Sequence, residues 1–372
     1  MKFYTSVLPY RGRLLVRGVD KDGAQKKYRI NYKPSLFVPV GKETKYKTLD
    51  GRNVEKIKFD SIPESTKWVN EYKNVTNFEY FGNTRHQYPF IADEFKGKIK
   101  WDINKIKILT VDIECESENG FPSPEKADQP LICITVKDHI SKKIIVFGIG
   151  SFVNDREDVQ YIDCVTEQGL VETFTKFWVE YNPNIITGWN VKFFDIPYLM
   201  NRFRYLMGND WLNQFSPWGV VEQRSAAVLF ASREQQVWNI MGVDTLDYLD
   251  LYRKFTFVRR ESYKLDYIGE VELGQNKLEN PYDTFKEFYQ NDYQLFVEYN
   301  IQDVELVDKL EDKMQLIALH LTMAYEGKVN YQDVFGQVRM WDTIIFNYLK
   351  KKNIVIPQKE DSQKDEKFHG AY

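Results

Sequence analysis

An apolar run that reads as a buried strand ends in Leu109-Thr110-Val111-Asp112-Ile113-Glu114-Cys115-Glu116. Side chains alternate faces along a strand, so Asp112 and Glu114 project from the same side of whatever sheet this run enters. Two adjacent carboxylates repel each other and raise each other's pKa unless positive charge lies between them, and a hard divalent cation is the usual counter-charge. A strand end frayed into solvent would carry the same two acids at no cost, so the rest of the chain has to decide between the two readings.

The chain has 372 residues, room for about two or three domains. A hydrophobic content of 43% with 15% aromatic residues is enough for a sizeable core. No stretch approaches the roughly 20 apolar residues of a spanning helix, and the N-terminus lacks the basic-then-apolar layout of a signal peptide. A cytoplasmic location without membrane attachment is therefore expected. Cys115, Cys133 and Cys164 are odd in number and show no C-x-x-C spacing, which indicates neither a disulfide framework nor a zinc ribbon; each is expected to be a small buried residue. With 51 basic and 54 acidic side chains the net charge is -3, against a wholly basic nucleic-acid surface but silent on local patches.

Residues 1–104 carry short β-prone runs, such as 14–19 and 36–40, broken by turn signals at Asp22-Gly23, Pro34 and Asp50-Gly51, with a helix expected over 63–72. This reads as a small mixed α/β domain. From about 105 the texture changes: 106–113, 131–137 and 142–149 are Ile- and Val-rich and predict three successive strands joined by short loops. An amphipathic helix bearing Val171, Phe174, Phe177 and Trp178 then runs to Asn182-Pro183, 185–187 gives a fourth buried strand, and 195–206 a second helix. Such an α/β layout places sites at strand ends and in the loops that follow. A hairpin is expected between about 220 and 241, then helices over 245–255 and 285–325, a strongly apolar stretch at 341–346, and a charged tail over 359–367 expected to be mobile.

Two further acidic positions stand out. In Gly188-Trp189-Asn190-Val191-Lys192-Phe193-Phe194-Asp195, a strand gives way to a loop and Asp195 stands at the mouth of the next helix, where ordinary N-capping would explain it equally well. In Tyr299-Asn300-Ile301-Gln302-Asp303, Tyr299 and Asp303 share a helix face with Phe296, Val304, Val307 and Leu310. An acid in an apolar stripe costs energy unless it is paired or bound to metal. Four carboxylates can hold two divalent ions about 3.5–4 Å apart, an arrangement suited to in-line hydrolysis of a phosphodiester, with Tyr299 placed to aim the attacking water. All-oxygen ligands fit Mg²⁺ or Mn²⁺; none of the four histidines (His86, His139, His320, His369) lies in these segments, which disfavours zinc.

D-I-E, N-x-x-x-F-D and Y-x-x-x-D, in this order and at these separations, resemble the three exonuclease motifs of the family B DNA polymerases, within the wider DEDD(y) group of 3'→5' exonucleases. The stretches 31–37, 187–198, 246–255 and 341–347 are similar to those of replicative polymerases of T-even-like bacteriophages, so the resemblance spans essentially the whole chain. It implies an RNase H-like α/β exonuclease domain over 105–315, a smaller mixed α/β N-terminal domain over 1–104, and a segment 316–372 that returns to pack on the N-terminal domain. It implies also that Asp112, Glu114, Asp195 and Asp303 bind two metal ions and that Tyr299 orients the water. Asn190 and Phe194 would line the path of the frayed primer end, Lys277 would face the scissile phosphate, and Arg233 would help hold separated strands, although residues 226–236 depart from the relatives. Glu116 and Glu118 match no motif and read as loop acids.

The family's palm motifs, D-x-x-S-L-Y-P-S and a later D-T-D, do not occur in these 372 residues. No nucleotide incorporation by this chain alone is expected. The resemblance implies a fragment, or the proofreading half of a polymerase divided between two polypeptides, acting on the single-stranded 3' end of primer-template DNA in the cytoplasm of an infected bacterial host. Two rivals are a scaffold half that binds RNA through its N-terminal domain, as the phage relatives' N-terminal domain is implicated in doing, and a free-standing DEDD ribonuclease.

Overall fold

The computed structural model describes residues 1–117, 120–227, 234–276, 278 and 280–358. Strands β1 (Phe3–Tyr10), β2 (Arg13–Val19) and β3 (Gln25–Ile30) form an antiparallel sheet in that order. They are followed by β4 (Ser35–Pro39), β5 (Tyr46–Thr48), β6 (Asn53–Lys58), and helices α1 (Ile62–Tyr72) and α2 (Gln87–Glu94). The helix expected over 63–72 starts where its signals sit: the Ser61 side chain accepts the Glu64 N–H, and Pro63 occupies the first turn, where a missing N–H costs nothing.

The central sheet uses β7 (Ile108–Cys115), β8 (Leu131–Asp138), β9 (Ile144–Gly148), β10 (Val159–Asp163) and β11 (Ile185–Thr187), with helix α3 (Glu167–Tyr181) before β11 and α4 (Asp195–Met207) after it. A hairpin of β12 (Val221–Ala227) and β13 (Glu234–Ile240) leads to the last strand of the sheet, β14 (Asp244–Thr245). The six-stranded order is β10-β9-β8-β7-β11-β14. β7 pairs antiparallel with β8 and parallel with β11, which puts it inside a mixed sheet.

Alternation along β7 then divides the residues between two layers. Leu109, Val111 and Ile113 enter a core with Leu170, Phe174 and Trp178 of α3 and Leu199 and Phe203 of α4. The opposite face of the sheet, through Ile132, Ile144 and Val146, packs on Phe288 of α7 (Phe285–Asn291) and on Phe296, Val297 and Val304 of α8 (Tyr293–Met314). Asp112 and Glu114 therefore point toward α8.

Helices α5 (Tyr248–Phe255), α6 (Leu265–Leu273), α9 (Leu316–Gly327) and α10 (Gln337–Lys351) are the other α-helices among the described residues, and β15 (Ile354–Val355) follows α10. β15 pairs parallel with β5 and joins a sheet of order β15-β5-β6-β4. Asn330 makes two hydrogen bonds with the Val7 backbone, at 2.8 and 2.9 Å, and the Tyr325 hydroxyl donates to the Tyr4 carbonyl at 2.8 Å. The chain after α8 is thus tied to the first strand.

Several expectations need correction. The link between β7 and β8 is long, running from 116 to 130, so these strands are not joined by a short loop. β10 was not foreseen: among the described residues it is an edge strand paired only with β9, with a partly polar sequence, Val-Gln-Tyr-Ile-Asp, and it makes β11 the fifth strand of the sheet in chain order. The helix expected over 285–325 is three helices. Asp292 caps α8 by accepting the Leu295 N–H, and Gln315 adopts φ 53° between α8 and α9. α6 carries no strong apolar period and was missed. The apolar stretch in α10 is half outside the core, with Trp341 58% and Ile345 50% exposed. All three cysteines are free and buried. Among the described residues, no helix is long and apolar enough to cross a membrane. The tail over 359–367 lies outside the described residues.

Candidate active site

In the β7–β8 register Asp112 stands opposite Thr135 and Glu114 opposite Cys133, with a register shift immediately after Glu114 where β7 ends. α8 lies across this end of the sheet and brings Asp303 down onto the two strand acids. One carboxylate oxygen each from Asp112, Glu114 and Asp303 all lie within 4.8 Å of one another. Asp303 is buried, while Asp112 and Glu114 are half-buried. Carboxylates this close favour either shared protons or a cation between them, and an all-oxygen donor set fits a hard divalent ion such as Mg²⁺ or Mn²⁺.

Asp195 is not the N-cap of α4. Phe194 holds that position, and Asp195 is the first helical residue, with its Oδ1 accepting the Ile113 N–H at 3.2 Å. This bond fastens the start of α4 to the middle of the acidic strand. Asp195 lines the same cavity as the other three acids but is not part of their 4.8 Å cluster. Burial pushes its carboxyl up to about 8; the nearby Asp247 and Asp303 carboxylates add to this, and backbone N–H groups, including that of Ile113, pull it down. A bound cation would favour the ionised form.

The loop that aims Asp195 is held from behind. A Cβ at Gly188 would come within 2.5 Å of the Val111 carbonyl oxygen, so only glycine lets the turn after β11 lie against β7. Asn190 adopts φ 66°. Asp247, at the N-cap of α5, accepts the Asn190 N–H at 3.1 Å, the Lys192 N–H at 3.0 Å and the Leu249 N–H at 2.9 Å. Burial, with Asp250 close by, pushes the Asp247 carboxyl up to about 7, against these N–H donors. Lys192 answers the second acid with an ion pair to Asp250 at 3.2 Å.

These elements enclose a cavity of about 970 Å³ lined by Asp112, Glu114, Phe121, Trp189, Asn190, Phe194, Asp195, Lys264, Tyr299 and Asp303. Tyr299, half-buried on α8, is braced by Phe285 and Phe288, with ring centroids 6.4 and 5.9 Å away. The structure thus gathers Asp112, Glu114, Asn190, Phe194, Asp195, Tyr299 and Asp303 around one cavity. Lys277, Arg233 and Glu118 lie outside the described residues; the neighbours Asn276 and Leu278 line the cavity.

Three contributors were missed. Phe121 is 86% exposed, and its ring centroid sits 5.3 Å from that of Phe194 at the cavity wall. Its signal was available: an aromatic ring between Gly120 and Pro122, just after the acidic strand. Asp247 lies inside the stretch 246–255, with nothing local to show that it would cap a loop more than fifty residues earlier. Asn300 lies inside the Tyr299–Asp303 motif and donates to Asp112.

A mixed sheet with helices on both faces and carboxylates gathered at its central strand is the architecture of an RNase H-like exonuclease domain. The sequence model for "DNA polymerase family B, exonuclease domain" matches residues 64–268, and the chain belongs to the family B DNA polymerases. It is 32% identical to the DNA-directed DNA polymerase of Escherichia phage RB69, with 96% of this chain and 42% of that protein aligned. The corresponding values for the DNA-directed DNA polymerase of Enterobacteria phage T4 are 30%, 100% and 43%. The DNA polymerase delta catalytic subunit of Candida albicans is 26% identical over 72% of this chain. The chain spans less than half the length of the phage relatives it matches.

Proposed function

We propose that this chain is the proofreading 3'→5' exonuclease portion of a phage replicative DNA polymerase, removing the terminal nucleotide from a single-stranded primer end. The observation that carries this reading is the cluster of Asp112, Glu114 and Asp303, drawn from a central strand and a crossing helix that line a cavity of about 970 Å³. Asp195 is the fourth acid, anchored on the acidic strand.

Divalent cations held by these carboxylates would supply Lewis acidity and a more acidic water for attack on the phosphodiester. The protein does the rest by positioning. Tyr299, one helical turn from Asp303 and braced by two phenylalanines, offers its hydroxyl to orient the attacking water. Phe121 and Phe194 present ring faces on which unstacked bases can lie, a mode of binding that tolerates any base and so suits an editing site. Asn190 borders the same path. Lys277 is assigned to the scissile phosphate, and Arg233 to the separated strands, on the resemblance to the phage enzymes.

The domain division at 1–104, 105–315 and 316–372 belongs to the same proposal, with the polymerising portion of the enzyme as the working partner. The test is digestion of 3'-labelled single-stranded DNA in Mg²⁺ by the wild type and by the double variant Asp112→Ala/Glu114→Ala. Loss of digestion in the variant with unchanged circular dichroism is expected; equal digestion by both proteins would sink the assignment. Running RNA alongside DNA separates this reading from a ribonuclease, which would prefer RNA.

A further inference from the structure

Asn300 follows Tyr299 on α8, and its side chain is fully buried between that helix and the sheet. Its Nδ2 donates to Asp112 Oδ2 at 2.5 Å, and its Oδ1 accepts from the Cys133 thiol at 3.5 Å. Cys133 Sγ lies 3.7 Å from Thr135 Oγ1, and both residues are fully buried on β8, opposite Glu114 and Asp112 respectively. This pattern fixes which way the amide points. Rotated by half a turn, it would set its carbonyl oxygen against a carboxylate oxygen at hydrogen-bond distance, acceptor against acceptor. A buried amide is costly where an aliphatic side chain would pack as well, unless its partners are satisfied. Its partner here is one of the site's acids.

On the reading of the carboxylate cluster as a divalent-cation site, we infer that Asn300 is a positioning residue for that site: its amide holds one oxygen of Asp112 and so fixes the plane in which the carboxylate meets a cation. The hydrogen bond is charge-assisted and is made from a helix that also carries Asp303. One helix therefore delivers a ligand and orients another on the neighbouring strand. Outer partners of this kind are worth roughly 10–100-fold in metal affinity.

The test is Mn²⁺ binding by calorimetry to the full 372-residue chain without DNA, together with unfolding in EDTA. Asn300→Leu keeps the bulk and removes the donor; Asn300→Ser is small enough to be accommodated and too short to reach Asp112. Each is expected to weaken Mn²⁺ binding roughly tenfold while retaining cooperative unfolding in EDTA, and to raise the Mn²⁺ concentration needed for half-maximal digestion more than it lowers the rate at saturating Mn²⁺. If the Leu variant fails to fold, the Ser variant decides. Mn²⁺ affinity unchanged in the folded variants, with only EDTA stability altered, would make Asn300 a packing residue and overturn the inference. Asp112→Ala is the control: unchanged Mn²⁺ binding in that variant would overturn the cation-site reading itself.

Discussion

Helix α8 carries two buried aspartates five residues apart with opposite surroundings. Asp308 is met by two ammonium groups, Lys137 Nζ at 2.9 Å and Lys142 Nζ at 2.7 Å. Asp303 is met by the carboxylates of Asp112 and Glu114. The first sets one carboxylate between two ammonium groups, whereas the second gathers carboxylate oxygens of three acids within 4.8 Å of one another, a grouping that also suits a cation. On the proposed reading of the cluster as a cation site, the difference separates the part of α8 that holds the fold from the part that serves the site.

Four experiments would break or sharpen that contrast. Removing an acid from the carboxylate cluster should cost activity: Asp303→Asn is expected to lower Mg²⁺-dependent digestion roughly 10³-fold, since a bound cation supplies several kcal/mol of transition-state stabilisation and each 1.4 kcal/mol is tenfold. At Asp308 the main effect falls on stability, because Asp308→Asn leaves the buried Lys137 without this counter-charge. Breaking such a pair costs about 3 kcal/mol, seen as a lower urea midpoint, with the digestion rate of the folded fraction retained.

The third experiment uses pH. Burial raises the Asp195 carboxyl from 3.8 to about 8, so the folded protein holds a proton that the unfolded chain has released. The stability this contributes is fully present below the unfolded value and is lost as pH rises through the folded one. In EDTA, the unfolding free energy should fall between pH 5 and 8, with Asp195 contributing up to about 1.4 kcal/mol per unit and Asp244 and Asp247, which burial raises to about 7, adding to the fall. Mn²⁺ should lower the slope, and Asp195→Asn should remove one group's share of it; a slope unchanged by the substitution would place the titrating group elsewhere. The smallest effect is expected at the cavity wall. Phe121→Ala should raise KM for single-stranded DNA by about tenfold, one base-stacking contact's worth, with little change in kcat.

Much of the candidate site was readable from the chain because its acids obey local periodicities. Asp112 and Glu114 share a face because strands repeat every two residues; Tyr299 and Asp303 share one because helices place i and i+4 together. The order of the three motifs carried the family. Local rules fail where an element is defined by its neighbour: β10 is an edge strand specified by pairing with β9, and the split of the long apolar helix follows from one Asp cap and one residue with positive φ.

The sequence by itself determined the class of the fold, the family and the identity of the acids, since these rest on residue types and short spacings. Only the tertiary structure decided how the acids divide, with Asp112, Glu114 and Asp303 in one tight cluster and Asp195 held beside it by the Ile113 N–H. It alone showed that Asp247 clamps the 188–194 loop, that Phe121 meets Phe194, and that Asn300 grips Asp112. These are contacts between residues separated by tens to nearly two hundred positions, and no periodicity encodes them. They form only when the packing of apolar side chains brings a strand, a loop and a helix to the same point.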